Sequence, residues 1–141
     1  MKSIERLDKN PYSLGLASVF VASHPPFDRF EFGPTVKTLF HQINNETHLI
    51  LAENDRIVGY LGWLKTTEDI AAAWLDGEAA LNYAKGGNVA AVTIFVVNDP
   101  KDTIRMIKAA KLAEPDSHVY WKRYYTDGRP PSPRVVRKTG E

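Results

Sequence analysis

A chain of 141 residues fits one domain with a core that needs no covalent staples, and its 43% hydrophobic and 25% charged content is ordinary for a globular protein. The absence of cysteine excludes a disulfide framework, a thiolate nucleophile and a cysteine metal site. Net charge is +1, but residues 121–141 hold six Lys/Arg against Asp127 and Glu141, a balance of +4 that leaves −3 elsewhere. The basic end suits an acidic partner, whereas nucleic-acid domains carry a stronger overall excess, so no nucleic acid is expected. Residues 1–10 (MKSIERLDKN) lack an apolar signal core, and no stretch approaches the roughly 20 apolar residues of a membrane span. A cytoplasmic location is the expectation.

In chain order, residues 1–10 are polar and expected to be a loosely docked end. LGLASVFVAS carries apolar residues at helical spacing, and Pro25-Pro26 must end that helix because neither donates a backbone hydrogen bond. His24 to Arg29 (HPPFDR) is then a stiff loop. A second helix opens near Pro34, with Val36, Leu39, Phe40 and Ile43 facing the core. His48–Glu53 and Arg56–Lys65 read as two strands joined by a turn at Asn54-Asp55. The second of these is apolar on both faces and should be central. Gly59 and Gly62 are costly within it unless the backbone bulges, a helix packs closely, or a thin ligand enters. Thr66 or Thr67 caps a third helix, with Ile70, Ala73, Trp74 and Leu81 on its buried face. Val89–Val97 is the strongest strand signal and should also be central. Asp99 and Pro100 open a fourth helix, as N-cap and first helical residue. His118–Tyr125 alternates as a strand, Thr126-Asp127-Gly128 is a turn, and Arg129–Glu141 reads as an extended basic tail.

This order predicts a single α/β domain over residues 1–141, with a mixed, mostly antiparallel sheet and helices on both faces. The stretches LGLASVFVASHPPFDR, HLILAENDRIVGYLGWLKTTEDIAAAWL, VAAVTIFVVNDPKDTIRMIKAAK and KRYYTDGR carry a family resemblance. The arrangement resembles the GNAT-like superfamily and, within it, the RTX-toxin-activating (hemolysin-activating) lysine acyltransferases. That resemblance implies a protein-lysine acyltransferase that takes its acyl group as a thioester from an acyl carrier protein. Its partners would be that carrier and an acceptor protein, with no bound cofactor.

The family's histidine and aspartate are not matched. Aligned through Arg29, Asp28 stands where the histidine is expected, and His24 is the nearby imidazole; the aspartate's place falls at Val92 or Thr93. The candidate catalytic residues are therefore His24, as base toward the attacking lysine, and Asp28. His24 alternatively caps its helix, and Asp28 alternatively pairs with Arg29 on the surface. Gly59, Gly62 and Trp63 are the candidate acyl-donor contacts. Asp99 and Asp102 flank the junction where a GNAT-like protein would bind the coenzyme A pyrophosphate, which points to a carrier-bound donor. Arg105, Lys108 and Arg123 are the candidate docking residues for an acidic carrier, or else a solvated basic face. His41, His48 and His118 have no partners at ligand spacing, so no metal is expected. The rival reading is a non-catalytic binding or scaffold protein that has lost the dyad; a homodimer covering apolar edges is compatible with either.

Overall fold

The computed structural model describes residues 1–123 and 132–137. Six strands form one sheet in chain order: β1 (Lys2–Glu5), β2 (His48–Glu53), β3 (Arg56–Thr66), β4 (Val89–Val97), β5 (His118–Arg123) and β6 (Ser132–Val136). Neighbouring pairs are antiparallel except β4 and β5, which run parallel. The helices are α1 (Pro11–Ala22), α2 (Phe32–Asn44), α3 (Glu68–Leu75) and α4 (Thr103–Ala113).

The packing divides by face. Ala17, Val21, Leu39 and Ile43 of α1 and α2 close over Ile50, Tyr60, Ile94 and Val96 on one face. Further along this face, Ala71 of α3 packs on Val89, Ala91 and Tyr120. On the other face, Met106, Ile107 and Ala110 of α4 cover Leu49, Leu51, Leu61, Trp63, Val92 and Val119. Helices on both sides explain why β3 and β4 lack polar alternation.

The hairpin between β2 and β3 has both Asn54 and Asp55 at positive φ, 52° and 64°, the twist that two-residue hairpins favour. Asp99 caps the turn before α4, its side chain accepting from the Lys101 amide at 3.0 Å. The Pro25–Pro26 bond is cis.

Several expectations are corrected. Residues 1–10 are not a loose end: Lys2–Glu5 pairs in register with Glu53 to Ile50. The supposed basic tail contributes an edge strand, Ser132–Val136, paired on β5. Both strands have alternating half-buried and exposed residues, so neither gives an apolar run to read. Helix α3 ends at Leu75, short of Leu81, and Ala71 is its buried residue. On α4, Met106 is buried and Ile104 is exposed. On α2, Phe40 is exposed and Gln42 takes the interior position. β5 is described over His118–Arg123, and the expected continuation through Tyr125 and the turn at Thr126–Gly128 lie outside the described residues.

Candidate functional site

The site follows from a defect in β4. Ladder partners run Gly62 with Ile94, then Trp63 with Val92, so Thr93 is an extra residue with no partner on β3. A bulge of this kind reverses the in–out alternation: Val92 faces α4, whereas Thr93 and Ile94 both face α2. On the other side, β5 pairs with β4 from Val89 to Val92 and then leaves it. From Thr93 to Val97 the strand is paired, among the described residues, with β3 alone, and its other edge borders a gap.

Two grooves meet at this gap. One, on the α2 side, has a volume of about 670 Å³ and is lined by Thr38, His41, Gln42, Leu64, Tyr83 and Thr93, among others. The second, of about 550 Å³, lies between β4, β5 and the start of α4. Its walls include Pro26, Thr93, Phe95, Ile104, Trp121 and Arg134. Thr93 lines both, so the two grooves share the bulge residue.

The bulge rests on a buried polar network. Gln42 is 4% exposed; its Nε2 donates to Thr93 Oγ1 at 2.7 Å and its Oε1 accepts from the Tyr60 hydroxyl at 2.8 Å. Burial pushes the Tyr60 phenol far above its ordinary range, so it stays a donor. Gln42's backbone carbonyl accepts from His48 Nδ1 at 3.2 Å, while His48 Nε2 accepts from the Leu7 amide at 2.9 Å. Desolvation lowers the His48 pKa to about 4, and the ring is neutral with its proton on Nδ1. Lys122, the first β5 residue beyond the split, places its ammonium 4.6 Å from the Trp74 ring centre, and burial lowers its pKa.

Of the residues expected from the sequence, only Trp63 lines either groove among those with described side chains. His24 lies at the end of α1, its Nδ1 2.7 Å from the Phe20 carbonyl oxygen and its Nε2 2.7 Å from Asn98 Oδ1. Both ring nitrogens are engaged in joining the helix end to the tip of β4. Asp28 is exposed in a short 3-10 turn, lines neither groove, and makes no ion pair with Arg29 among the described residues. A Cβ on Gly59 would lie 3.1 Å from Leu51 Cβ and 3.3 Å from Val97 Cγ1, so protein fills that gap. A Cβ on Gly62 would overlap the Gln42 carboxamide; this glycine makes room for the network. Trp63 is 1% exposed and its Nε1 donates to Glu114 at 2.9 Å, yet it touches the α2 groove. Arg105 and Lys108 are exposed on α4, line neither groove, and Arg105 donates to the Lys2 carbonyl of β1 at 3.0 Å. Arg123 belongs to β5, and its side chain lies outside the described residues. Sequence reading passed over Gln42, His41 and Thr93 as functional residues; the glycine at 62 was the one signal pointing toward the first.

The start of α4 offers little to an anion. The amides of Lys101, Asp102 and Thr103 bond to Asp99 Oδ1, the Asp99 carbonyl and the Pro100 carbonyl. Asp102 is buried against Lys2 Nζ at 2.7 Å, and Asp99 lies 3.8 Å from the same ammonium. Among the described residues no group of three or more His, Cys, Asp or Glu could hold a metal, and no helix is long and apolar enough to cross a membrane.

No protein-family model matches the sequence, and the search of curated proteins finds no match. Solved structures do match. A GNAT-like decarboxylase, GphF, in complex with isobutyryl-CoA has a TM-score of 0.63 at 17% identity, over 89% of this chain and 67% of that one. An aminoglycoside 6'-N-acetyltransferase complexed with coenzyme A has 0.59 at 13%, over 85% of this chain and 61% of that one. A GNAT-family acetyltransferase from Bacillus cereus ATCC 10987 has 0.57 at 12%, over 98% of both. At these identities the likeness is one of architecture: this chain has the GNAT fold.

Proposed function

We propose that the chain transfers an acyl group from a thioester to an amine, with the donor in the groove between β4 and α4 and the acceptor in the α2 groove. The observation that carries this reading is Thr93, which lines both grooves at the one point where β4 has lost its β5 partner. An extended thioester arm can pair with the free edge of β4 as an added strand would. Its acyl carbonyl then lies at the bulge, within reach of an amine from the other face. Two of the similar structures are complexes with CoA compounds, a precedent for thioester chemistry on this fold.

The donor we favour is an acyl group on an acyl carrier protein. A pyrophosphate at the start of α4 would meet amides already bonded and two carboxylates, whereas a carrier presents its arm without needing that cradle. Exposed Arg105 and Lys108, with Arg134 at the groove, give an acidic carrier its counter-charges. The acceptor is a protein lysine, as the likeness to the toxin-activating acyltransferases implies, and His41 on the rim of the α2 groove is placed to take its proton. His24 is the alternative base, but it would have to release Asn98.

Intact-mass analysis tests this reading: an acyl carrier protein loaded with a fatty acyl chain, mixed with the chain and a lysine peptide, should acylate the peptide. Acyl-CoA at equal concentration should be the poorer donor. Loss of transfer in His41→Ala with retention in His24→Ala would assign the base, and the opposite result would return it to His24. The engaged state of His24 and the isolation of Asp28 favour one rival, a non-catalytic protein that only docks the carrier; binding without transfer would establish it.

A further inference from the structure

Gln42 is a buried amide on a helix face that otherwise presents Leu39 and Ile43 to the core. A leucine there would need no partners, so the network asks for a reason beyond packing. Its polarity supplies one. Tyr60 is held in the protonated state by burial and gives its proton to Gln42 Oε1, so Nε2 must face Thr93. Reversing the amide would give Thr93 an acceptor but leave the buried Tyr60 hydroxyl proton facing an NH2 group, with no other acceptor among the described residues. Thr93 Oγ1 is therefore an acceptor toward Gln42, and among the described residues no acceptor takes its own proton. The direction left for that O–H is the opening where the two grooves meet.

We infer that the Tyr60–Gln42 pair is a positioning device that fixes the polarity of the Thr93 hydroxyl, so that its proton is presented to the acyl carbonyl held at the gap. This rests on the acyl-transfer reading above. As the amine nitrogen bonds to the thioester carbon, the carbonyl electron pair moves to oxygen, and the Thr93 O–H donates a hydrogen bond to that oxyanion without losing its proton. Collapse re-forms the carbonyl and breaks the C–S bond. The thiolate leaves and takes up the proton that the ammonium gives away, so the products are an amide and a thiol. Gly62 is part of the device, because a side chain there would displace the carboxamide. His48 supports it indirectly, by holding the backbone carbonyl of Gln42.

Two sets of variants test it, with acyl carrier thioester as donor. Thr93→Val keeps the shape and removes the donor; kcat should fall about 100-fold with donor KM within twofold, and Thr93→Ser should recover most of the loss. Gln42→Glu keeps the volume but, when ionised, accepts from both Tyr60 and Thr93 and turns the threonine proton inward. Its kcat should be lowest above the titration of the new carboxyl and climb toward the wild-type value as pH falls and that group can again donate. The new carboxyl would face Tyr60 from β3 and His48 from β2, both neutral in this range, with His41 beside it on α2. The carbonyl stretch of a bound ¹³C-labelled acyl thioester gives a readout without turnover. It should lie below its free position in the wild type and return to it in Thr93→Val. Unchanged kcat and band in Thr93→Val, or a Gln42→Glu profile parallel to wild type, would overturn the inference while leaving acyl transfer intact. Failure of the wild type to bind the thioester would defeat the acyl-transfer reading itself, and this role with it.

Discussion

The two halves of β4 behave as different materials. From Val89 to Val92 the strand has a partner on each side, and its residues are 0 to 4% exposed, packed on α3 and α4. From Thr93 to Val97 it has one partner among the described residues, and Thr93, Phe95 and Val97 are half-buried along grooves. The residue types hardly change between the halves, since all but Thr93 are apolar. Strength in the first half comes from saturating both edges, and the second half gives that up for an edge that another molecule can complete. The bulge marks the boundary.

The largest effect that would probe this boundary acts through its support. His48 is kept neutral with a pKa of about 4, against about 6.5 unfolded, so the unfolded chain binds the proton first as pH falls. The stabilisation is fully present above pH 6.5 and is lost between there and pH 4, on the order of 3 kcal/mol in all. Urea titrations at pH 7 and pH 4 should show that loss, and His48→Gln should flatten the slope. Next comes Gly62→Ala, whose methyl group overlaps the Gln42 carboxamide; about 2 kcal/mol of destabilisation is expected, with transfer activity lost at the same time. An unchanged midpoint would mean that Gln42 can leave without consequence and that the closed half does not depend on it.

The same truncation in each half then gives the direct contrast. Val92→Ala, in the doubly paired half, should cost about 2 kcal/mol in denaturant midpoint. Phe95→Ala, in the open half, should cost less than about 1 kcal/mol, since its ring is already partly solvated, but should raise donor KM several-fold. Equal costs would make the two halves a single core. The smallest effect concerns approach to the open edge: Arg105→Glu with Lys108→Glu should slow carrier association a few-fold at low salt and scarcely at all near 1 M, where charges are screened beyond about 3 Å.

The doubly paired half of the sheet was legible in the sequence because its physics is local. Val89–Val97 is an apolar run broken only by Thr93, Arg56–Thr66 reads as central, and Asp99-Pro100 announces the start of a helical turn. The edge strands were not legible, since Lys2–Glu5 and Ser132–Val136 owe their conformation to backbone pairing with a neighbour that the sequence does not place. Phe40 and Gln42 show the same limit on a helix. Apolar spacing puts Phe40 inside, but the available hole was shaped by Gly62 and Tyr60 across the fold and takes an amide. The bulge at Thr93 is a mismatch between two strands, visible only once both are aligned. That is why the hydrogen bonds around Thr93 could not be read from the sequence.

Lys2 deserves a final consequence. Its ammonium, from the outermost strand, bonds Asp102 and lies near Asp99 at the opening turn of α4. The Asp102 hydrogen bond holds the Lys2 pKa above its ordinary value. Displacing β1 from the sheet would therefore do more than fray an edge: it would leave two uncompensated negative charges beside the groove entrance. An acidic visitor would then be turned away. On the proposed reading, weakening the pairing of β1 should therefore slow acyl transfer from an acidic carrier at low salt.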